Sequence, residues 1–526
     1  MVRRRLRGVC ALADMLKKIR ASSCIALRKA PAPAGCATEQ TPAGRLRTLQ
    51  AMPFPLPNRN ARARSALALT LLCSALLLGG CGTATQQNSA VPFIDVPTRW
   101  QDTELARASK LADWWLRFDD DLLSSLVSDA LQANPSIASA RAAVRQARAL
   151  RDVSGAALYP TLDASLSAQH NRQGDSSGDS FQLGLDAGWE IDVFGAQRSG
   201  VNAADASASA SAASLGDVQV SIAAELALDY IALRSNQERL EIARSNLLVQ
   251  QDTLQIVAWR LQAGLVTQLE SEQSRAALEQ TRAQIPALQV AIAQNAHAIA
   301  VLTGRTPEAL LGQLAAAAAV PQPASDIALS FPAETLRQRA DVRAAEFQIA
   351  AAAARESQAE AARLPSFRLG GSIGLNALTL VGLGNGATIA SSLLASVGLP
   401  LFDGGARAAQ VSAQHAALEQ AQANYKSSVL AALRDVEDAL VALRGDRLRL
   451  ASLRLAASAA ANAAQLASQR FQSGLVDFQT VLDTQRTRLS TQDSVASAYA
   501  AVSTDHVRLY KALGGGWQSE QKNSEL

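Results

Sequence analysis

Cysteine is confined to the first 81 residues of the 526-residue chain, at Cys10, Cys24, Cys36, Cys73 and Cys81, so nothing beyond Cys81 can form a disulfide framework or a thiolate metal site. Histidine is almost as scarce. His170, His297, His415 and His506 lie far apart, with none of the Glu-x-x-His or His-x-x-x-His spacings that hold zinc. A phosphate-binding loop is missing too, because Gly514-Gly515-Gly516 runs into Trp517 where such a loop needs Lys. The string Gly-x-Ser-x-Gly occurs at Gly174–Gly178 and Gly370–Gly374, but a nucleophile elbow needs a strand-to-helix turn around its serine. The first string falls in a polar loop and the second inside an alternating strand. No catalytic residue, no metal ligand and no dissociable cofactor is expected, and a chain without a nucleotide site is passive.

Methionine is also rare, and the segment after Met52 has the order of a secretion signal: Arg59, Arg62 and Arg64, then an apolar run from Ala66 to Leu78. That run is too short to span a bilayer as a helix, which takes about 20 residues. It ends in Leu78-Gly79-Gly80-Cys81, where small residues precede the only nucleophile able to accept a diacylglycerol. Cys81 is therefore the expected lipidation site and first residue of a mature lipoprotein, with diacylglycerol and palmitate as its covalent groups; an ordinary signal peptide that happens to contain a cysteine is the alternative. Gly82, rather than Asp, follows it, which by similarity to bacterial lipoproteins favours the outer membrane. Residues 1–51, rich in Arg, Ala and Pro ahead of a complete signal, read as a spurious extension, and 52–80 as the signal peptide.

Residues 1–80 hold 14 of the 50 Lys and Arg and 2 of the 46 Asp and Glu, so the formal charge of +4 becomes −8 without them. Aromatics make up only 4% of the chain. A net acidic chain with few stacking rings offers little to nucleic acid, and none is expected as a partner.

What is present is said twice. An offset of 205 residues lays Ala156-Ala157-Leu158-Tyr159-Pro160 on Ala361-Ala362-Arg363-Leu364-Pro365. An offset of 210 lays Arg260-Leu261-Gln262-Ala263-Gly264-Leu265-Val266 on Arg470-Phe471-Gln472-Ser473-Gly474-Leu475-Val476, and Gly304 on Gly514. The matches fall at structural punctuation, and two repeats follow.

Within each repeat a short helical segment runs up to a proline, and the period then changes to two. Leu162, Ala164, Leu166 and Ala168 alternate with polar residues, and Leu183, Leu185, Ala187, Trp189 and Ile191 do so again. In the second repeat Phe367, Leu369, Ile373 and Leu375 form one stripe and Leu393, Ala395, Val397, Leu399 and Leu401 another. Runs of about ten residues with one apolar face have the length and pattern of membrane β-strands, although one such strand would equally suit a soluble sandwich. Four strands cannot close a membrane barrel, whose smallest examples have about eight, and an open edge cannot face lipid. Several chains must share one barrel.

After each strand pair comes a very long helical stretch. Val201 to Ala263 contains no proline and one glycine, Gly216, while Leu226, Leu233, Leu240, Leu247, Leu254 and Leu261 recur every seven residues. Leu433, Val436, Leu440 and Leu443 show the same seam in the second repeat. A leucine heptad alone more often marks a plain coiled coil than a tunnel wall; the strands beside it change that balance. Gly264 and Gly474 end the first helix of each pair, giving hairpins whose return helices run to about 302 and 513, with Pro286 expected to bend the first.

These features together resemble the outer-membrane factor, or TolC-like, family, in the lipoprotein branch that serves resistance-nodulation-division efflux pumps. Trp114-Trp115-Leu116-Arg117-Phe118-Asp119-Asp120, Asn134, Phe194-Gly195, Phe402-Asp403-Gly404-Gly405 and the paired tips carry the resemblance, which covers nearly all of 81–515. It implies an α+β membrane protein in which four strands per chain close a trimeric 12-stranded β-barrel, continued by a long helical barrel across the periplasm. It implies that the tips, Arg260, Gly264, Leu265, Val266 and Thr267 with Arg470, Gly474, Leu475, Val476 and Asp477, contact a periplasmic adaptor joined to an inner-membrane transporter. Asp483 resembles a pore-lining carboxylate at a closed periplasmic aperture, and Thr480 stands where some relatives have a second such ring. A ring of three Asp483 side chains would repel itself and bind cations, although a solvated coiled-coil carboxylate is the simpler alternative.

The expected organisation is a first repeat at 81–305, with strands at about 161–169 and 181–194 and long helices at about 196–263 and 266–302. A second repeat at 330–515 has strands at about 366–376 and 391–402 and helices at about 404–473 and 476–513, ahead of a disordered tail at 516–526. The expected function is the passive outer-membrane duct of a tripartite efflux pump for small toxic compounds such as drugs. The duct of a type I protein secretion system and a lipid-anchored coiled-coil scaffold without a pore remain alternatives.

Overall fold

The computed structural model describes residues 92, 111–323, 336 and 338–517. The extension 1–51, the signal 52–80, Cys81 and the tail beyond 517 lie outside the described residues. A 3-10 turn, Trp114–Phe118, leads to α1 (Asp121–Ala133) and α2 (Pro135–Ala156). Strands β1 (Thr161–Gln173) and β2 (Ser176–Ile191) precede the first hairpin, α3 (Ala196–Gln262) and α4 (Gln268–Leu302). A short α5 (Leu311–Leu314) and α6 (Ala340–Ala361) lead to β3 (Ser366–Ala377) and β4 (Thr388–Gly398). The second hairpin, α7 (Ala406–Gln472) and α8 (Phe478–Ala512), ends the described fold.

The paired helices match in length. Helices α2 and α6 each have 22 residues, α3 and α7 each 67, and α4 and α8 each 35. At 1.5 Å per residue the 67-residue helices reach about 100 Å. They start alike: Asp192 accepts from the Gln197 and Arg198 amides, Asp403 from the Gly405 and Arg407 amides, and Gly195 and Gly405 precede them at φ 81° and 88°. They stop alike as well. Gly264 and Gly474, at φ 73° and 74°, let the next amide, of Leu265 or Leu475, reach back to the Arg260 or Arg470 carbonyl at 2.8 Å. Helix α4 continues through Pro286.

All four strands form one antiparallel sheet in the order β1-β2-β3-β4, so β1 and β4 are open edges within the chain. The best-buried part of the molecule lies where α1, α3, α4 and α8 converge. Trp114, fully buried, stacks on Tyr510 at 5.3 Å and meets Trp115 and Phe118 edge-on. The Tyr230 hydroxyl donates to Asp120 at 2.9 Å, and the Asn134 amide caps α2 while donating to the Leu302 carbonyl at 2.8 Å. The tryptophan-rich motif and Asn134 are thus the joint between the N-terminal segment and the hairpins. Of the leucine heptad, Leu226, Leu233 and Leu240 are buried here, whereas Leu247, Leu254 and Leu261, nearer the tip, are half-buried.

Two expectations change. Gly516 and Trp517 belong to the fold rather than to a disordered tail: the Gly516 amide donates to the Leu111 carbonyl at 3.0 Å and the Trp517 indole to Gln338 at 2.9 Å. The indole lies so close to Gly216 that a Cβ there would come within 2.7 Å, which explains the glycine in the middle of α3. The strands are also displaced from their expected bounds. The β1–β2 ladder runs on to Gln173↔Ser176, because a hairpin keeps pairing through polar residues that carry no alternating signal. In turn β4 starts at Thr388 and stops at Gly398, and Phe402 falls in the turn into α7.

Candidate functional site

The register gathers the period-two stripes of all four strands onto one face. Leu166↔Leu183↔Leu375↔Ile389 forms one row, Ala164↔Leu185↔Ile373↔Ser391 the next, and Leu162↔Ala187↔Gly371↔Leu393 a third. These side chains are bare: Leu162 is 70% exposed, Ile389 68% and Leu393 81%. Water would not leave such a face uncovered, but lipid would. From Phe181 to Ile191 the apolar stripe of β2 climbs about 33 Å along the strand, or roughly 25 Å vertically at a 40° tilt, the height of an outer-membrane apolar band.

The opposite face is polar and shallow. Asp163↔Asp186↔Ser372↔Ser392 is one row, with the two serine hydroxyls 2.8 Å apart, and Gly184↔Gly374 and Gly188↔Gly370 keep side chains out of the next two. Arg368 pairs with Glu190 at 3.0 Å. Leu394 is the apolar exception on this face. Ser372, read from sequence as part of a Gly-x-Ser-x-Gly string, is therefore a strand residue hydrogen-bonded to Ser392, with no turn and no base beside it. Where the strands meet the helices, Tyr159, Trp189, Phe194, Phe367 and Phe402 form an aromatic rim, with Tyr159 70% and Phe402 93% exposed. Its signal in the sequence is the clustering of aromatics at strand ends.

At the far end the tips close on each other. The Arg260 guanidinium lies 4.3 Å over the Phe471 ring and donates to the Phe471 and Gln472 carbonyls at 3.3 Å, so it ties the first tip to the second. Phe471 and Phe478 pack with Val257, Ala277, Ala467, Val481 and Leu482, and Val266 and Val476 turn partly into that cluster. Gly264 and Gly474 occupy open space, and Leu265 and Leu475 project outward, 73% and 74% exposed. Thr267 and Asp477 cap the return helices: Thr267 makes a capping box with Glu270, and Asp477 accepts from the Thr480 amide at 2.9 Å. The Thr480 hydroxyl also donates to Asp477, and these two bonds hold the Asp477 carboxyl below its ordinary range.

Asp483 lies one turn beyond Thr480, exposed, with its carboxylate accepting from Gln479 at 2.9 Å and paired in charge with Arg486 at 3.7 Å. Asp483 and Thr480, with Thr484, Thr487, Ala460 and Ala463, line a cleft of about 280 Å³ along the α7–α8 seam. Of the ten residues expected at the tips, the structure thus turns the two leucines outward and commits Thr267, Asp477 and Arg260 to holding the tip itself. No group of three or more His, Cys, Asp or Glu able to hold a metal occurs among the described residues.

Residues 126–305 and 331–515 match the family described as outer membrane efflux protein. The chain is 36% identical over 477 residues to the pyoverdine export outer membrane protein OpmQ of Pseudomonas putida, spanning 86% of this chain and 98% of that one. It is 31% identical to the toluene efflux pump outer membrane protein TtgI of Pseudomonas putida, over 85% of this chain and 97% of that one. The solved outer-membrane channel OprN superposes with a TM-score of 0.74 at 33% identity, covering 82% of this chain and all of OprN. VceC of Vibrio cholerae gives 0.72 at 26%, covering 77% and 99%. With one lipid-facing sheet, two long hairpins and this likeness along nearly their whole length, the chain belongs to the outer membrane efflux protein family, as one third of a trimeric channel whose β-barrel is continued by a helical barrel.

Proposed function

We propose that the protein is the passive exit duct of a tripartite pump, joined through its helical tips to a periplasmic adaptor and an inner-membrane resistance-nodulation-division transporter, and that it expels small toxic compounds. The carrying observation is the sheet. Its register separates an apolar outside from a glycine- and serine-lined inside, while both edges stay open for neighbouring copies. The family is one of outer membrane channels, which are not enzymes, and in this reading the transporter drives the flux. The names of OpmQ and TtgI, for pyoverdine export and toluene efflux, support small molecules over secreted proteins and support a lumen that leaves selection to the transporter. In this reading Cys81 carries diacylglycerol and palmitate, and the exposed Leu265 and Leu475 meet the adaptor. Asp483 from three chains narrows the periplasmic end and Thr480 braces it through Asp477.

Planar-bilayer recording tests the pore and its gate together. The purified trimer should show small steady conductance at rest that rises several-fold in Asp483→Ala; an unaltered closed state would remove Asp483 from the gate, and absence of any conductance would return the pore-less scaffold. Deleting the gene should raise susceptibility to small toxic compounds. Unchanged susceptibility with a lost secreted protein would favour type I secretion instead.

A further inference from the structure

The hairpins α3–α4 and α7–α8 are related by a constant offset of 210 residues, so every position in one has a counterpart in the other. The counterparts of Asn236 on α3 and Asn295 on α4 are Asp446 on α7 and Asp505 on α8. Two amides can donate and accept across a helix pair at any pH, whereas two carboxylates can do so only while one of them carries a proton. The same offset places Gln273 opposite Asp483, so the carboxylates sit on the hairpin that also bears the candidate gate.

Asp505 is 1% exposed, and its Oδ2 has no hydrogen-bond donor. Its Oδ1 is 3.4 Å from Arg508, and the Asp446 carboxyl interacts with it from across the seam. Asp446 itself is 3.6 Å from Arg449 and remains partly open to solvent. The other charged and titratable groups around the pair are Arg447 of α7, held at 3.2 Å from His506, and Tyr510 of α8, with Arg117 of the 3-10 turn over its ring. Against the same stretch of α8, Pro321 and Gln322 contribute only neutral groups, bonded to Ser503. From α3, Arg239 is taken by Asp493, three turns nearer the tip, and Arg234 by Tyr230, Gln237 and the Ala316 carbonyl.

We propose that Asp446 and Asp505 form a proton-operated clasp across α7–α8, closed when Asp505 donates its proton to Asp446 and released when both are ionised and repel. For its effect on the pore, though not for its existence, the clasp rests on the reading of α8 as the gate helix. Burial, with the Asp446 charge beside it, pushes the Asp505 carboxyl up to about 6. The packed hairpin therefore favours the protonated form. The clasp is complete below the ordinary carboxylate range and is lost as the pH rises through about 6, within reach of an acidified periplasm.

Native-state hydrogen exchange on the full-length trimer, corrected for intrinsic rates, tests this with its own internal control. Between pH 5 and pH 8 the protection of α8 around Asp505 should fall roughly tenfold relative to the matching stretch of α4 around Asn295. In Asp446→Asn/Asp505→Asn, which gives the second hairpin the side chains that the first carries at the matching positions, that difference should vanish; Asp505→Asn alone should remove most of it. An equal pH response of both hairpins in the parent, or a drop that persists in the double variant, would overturn the clasp. Conductance recorded on the same samples separates the two readings: a clasp that responds to pH without any change in conductance leaves the clasp standing and removes α8 from the gate.

Discussion

Gly304 and Gly264 adopt nearly the same backbone, φ 71° and 73°, but a methyl group would meet very different surroundings at the two sites. At Gly304 it would lie 2.6 Å from the Ala133 carbonyl oxygen, whereas at Gly264 nothing lies within 4 Å. Gly264→Ala should cost only the strain of a left-handed residue, roughly 1–2 kcal/mol, while Gly304→Ala adds a backbone clash and should cost about 3 kcal/mol or more. Denaturant unfolding would check the ordering, and equal losses would mean that the α4–α1 joint can open to admit the methyl. The residue scale is also where sequence and structure part most. Spacing identified Thr267, Asp477 and Arg260 as tip residues, but a list of tip residues does not say which of them face outward. Capping and the Arg260–Phe471 contact fix that. The carboxylate pair Asp446–Asp505 shows the same limit, since only the packing of α7 on α8 brings two acids 59 positions apart to one another.

At the scale of elements the strands allow a sharper test, because neighbouring residues of β4 meet different solvents. Leu393 lies on the lipid face and Ser392 on the lumen face. Leu393→Arg should destabilise the barrel by about 2–4 kcal/mol, lowering the temperature at which the folded form is lost on gels. Ser392→Arg should leave that temperature nearly unchanged and reduce single-channel conductance. The reverse pattern would mean the sheet is inside out. The strands were legible because alternation is a local signal and the register only had to align four stripes already written. Their ends were not, since ladder bonding belongs to the backbone and continues where side chains stop alternating. Helix bounds came within two residues because glycines and caps mark them in the sequence.

Across the whole molecule, α7 packs on α6 and α8 and leaves one side bare. Val441, Leu448 and Leu455 repeat there at heptad spacing, 61%, 66% and 75% exposed. A neighbouring copy in the trimer is expected to cover such a seam. Leu448→Glu should cost about 2 kcal/mol for each of the three interfaces and shift native mass from trimer toward monomer in mild detergent. An unchanged trimer would place the seam on the outside of the assembly. The open edges at β1 and β4 make the same demand, because unpaired backbone groups cannot face lipid.

The sequence by itself determined the repeat, the lengths of the four long helices, the apolar face of each strand and the need for more than one chain. These are properties of local periodicity and of hydrogen-bond satisfaction in lipid, both readable along one dimension. Tertiary structure alone decided which strand residues share a row, that Trp517 closes onto Gly216, which tip side chains point outward and which carboxylates meet across a hairpin. Each of those depends on where separate helices and strands come to rest against one another. That position is set by packing shape rather than by any pattern within a single segment.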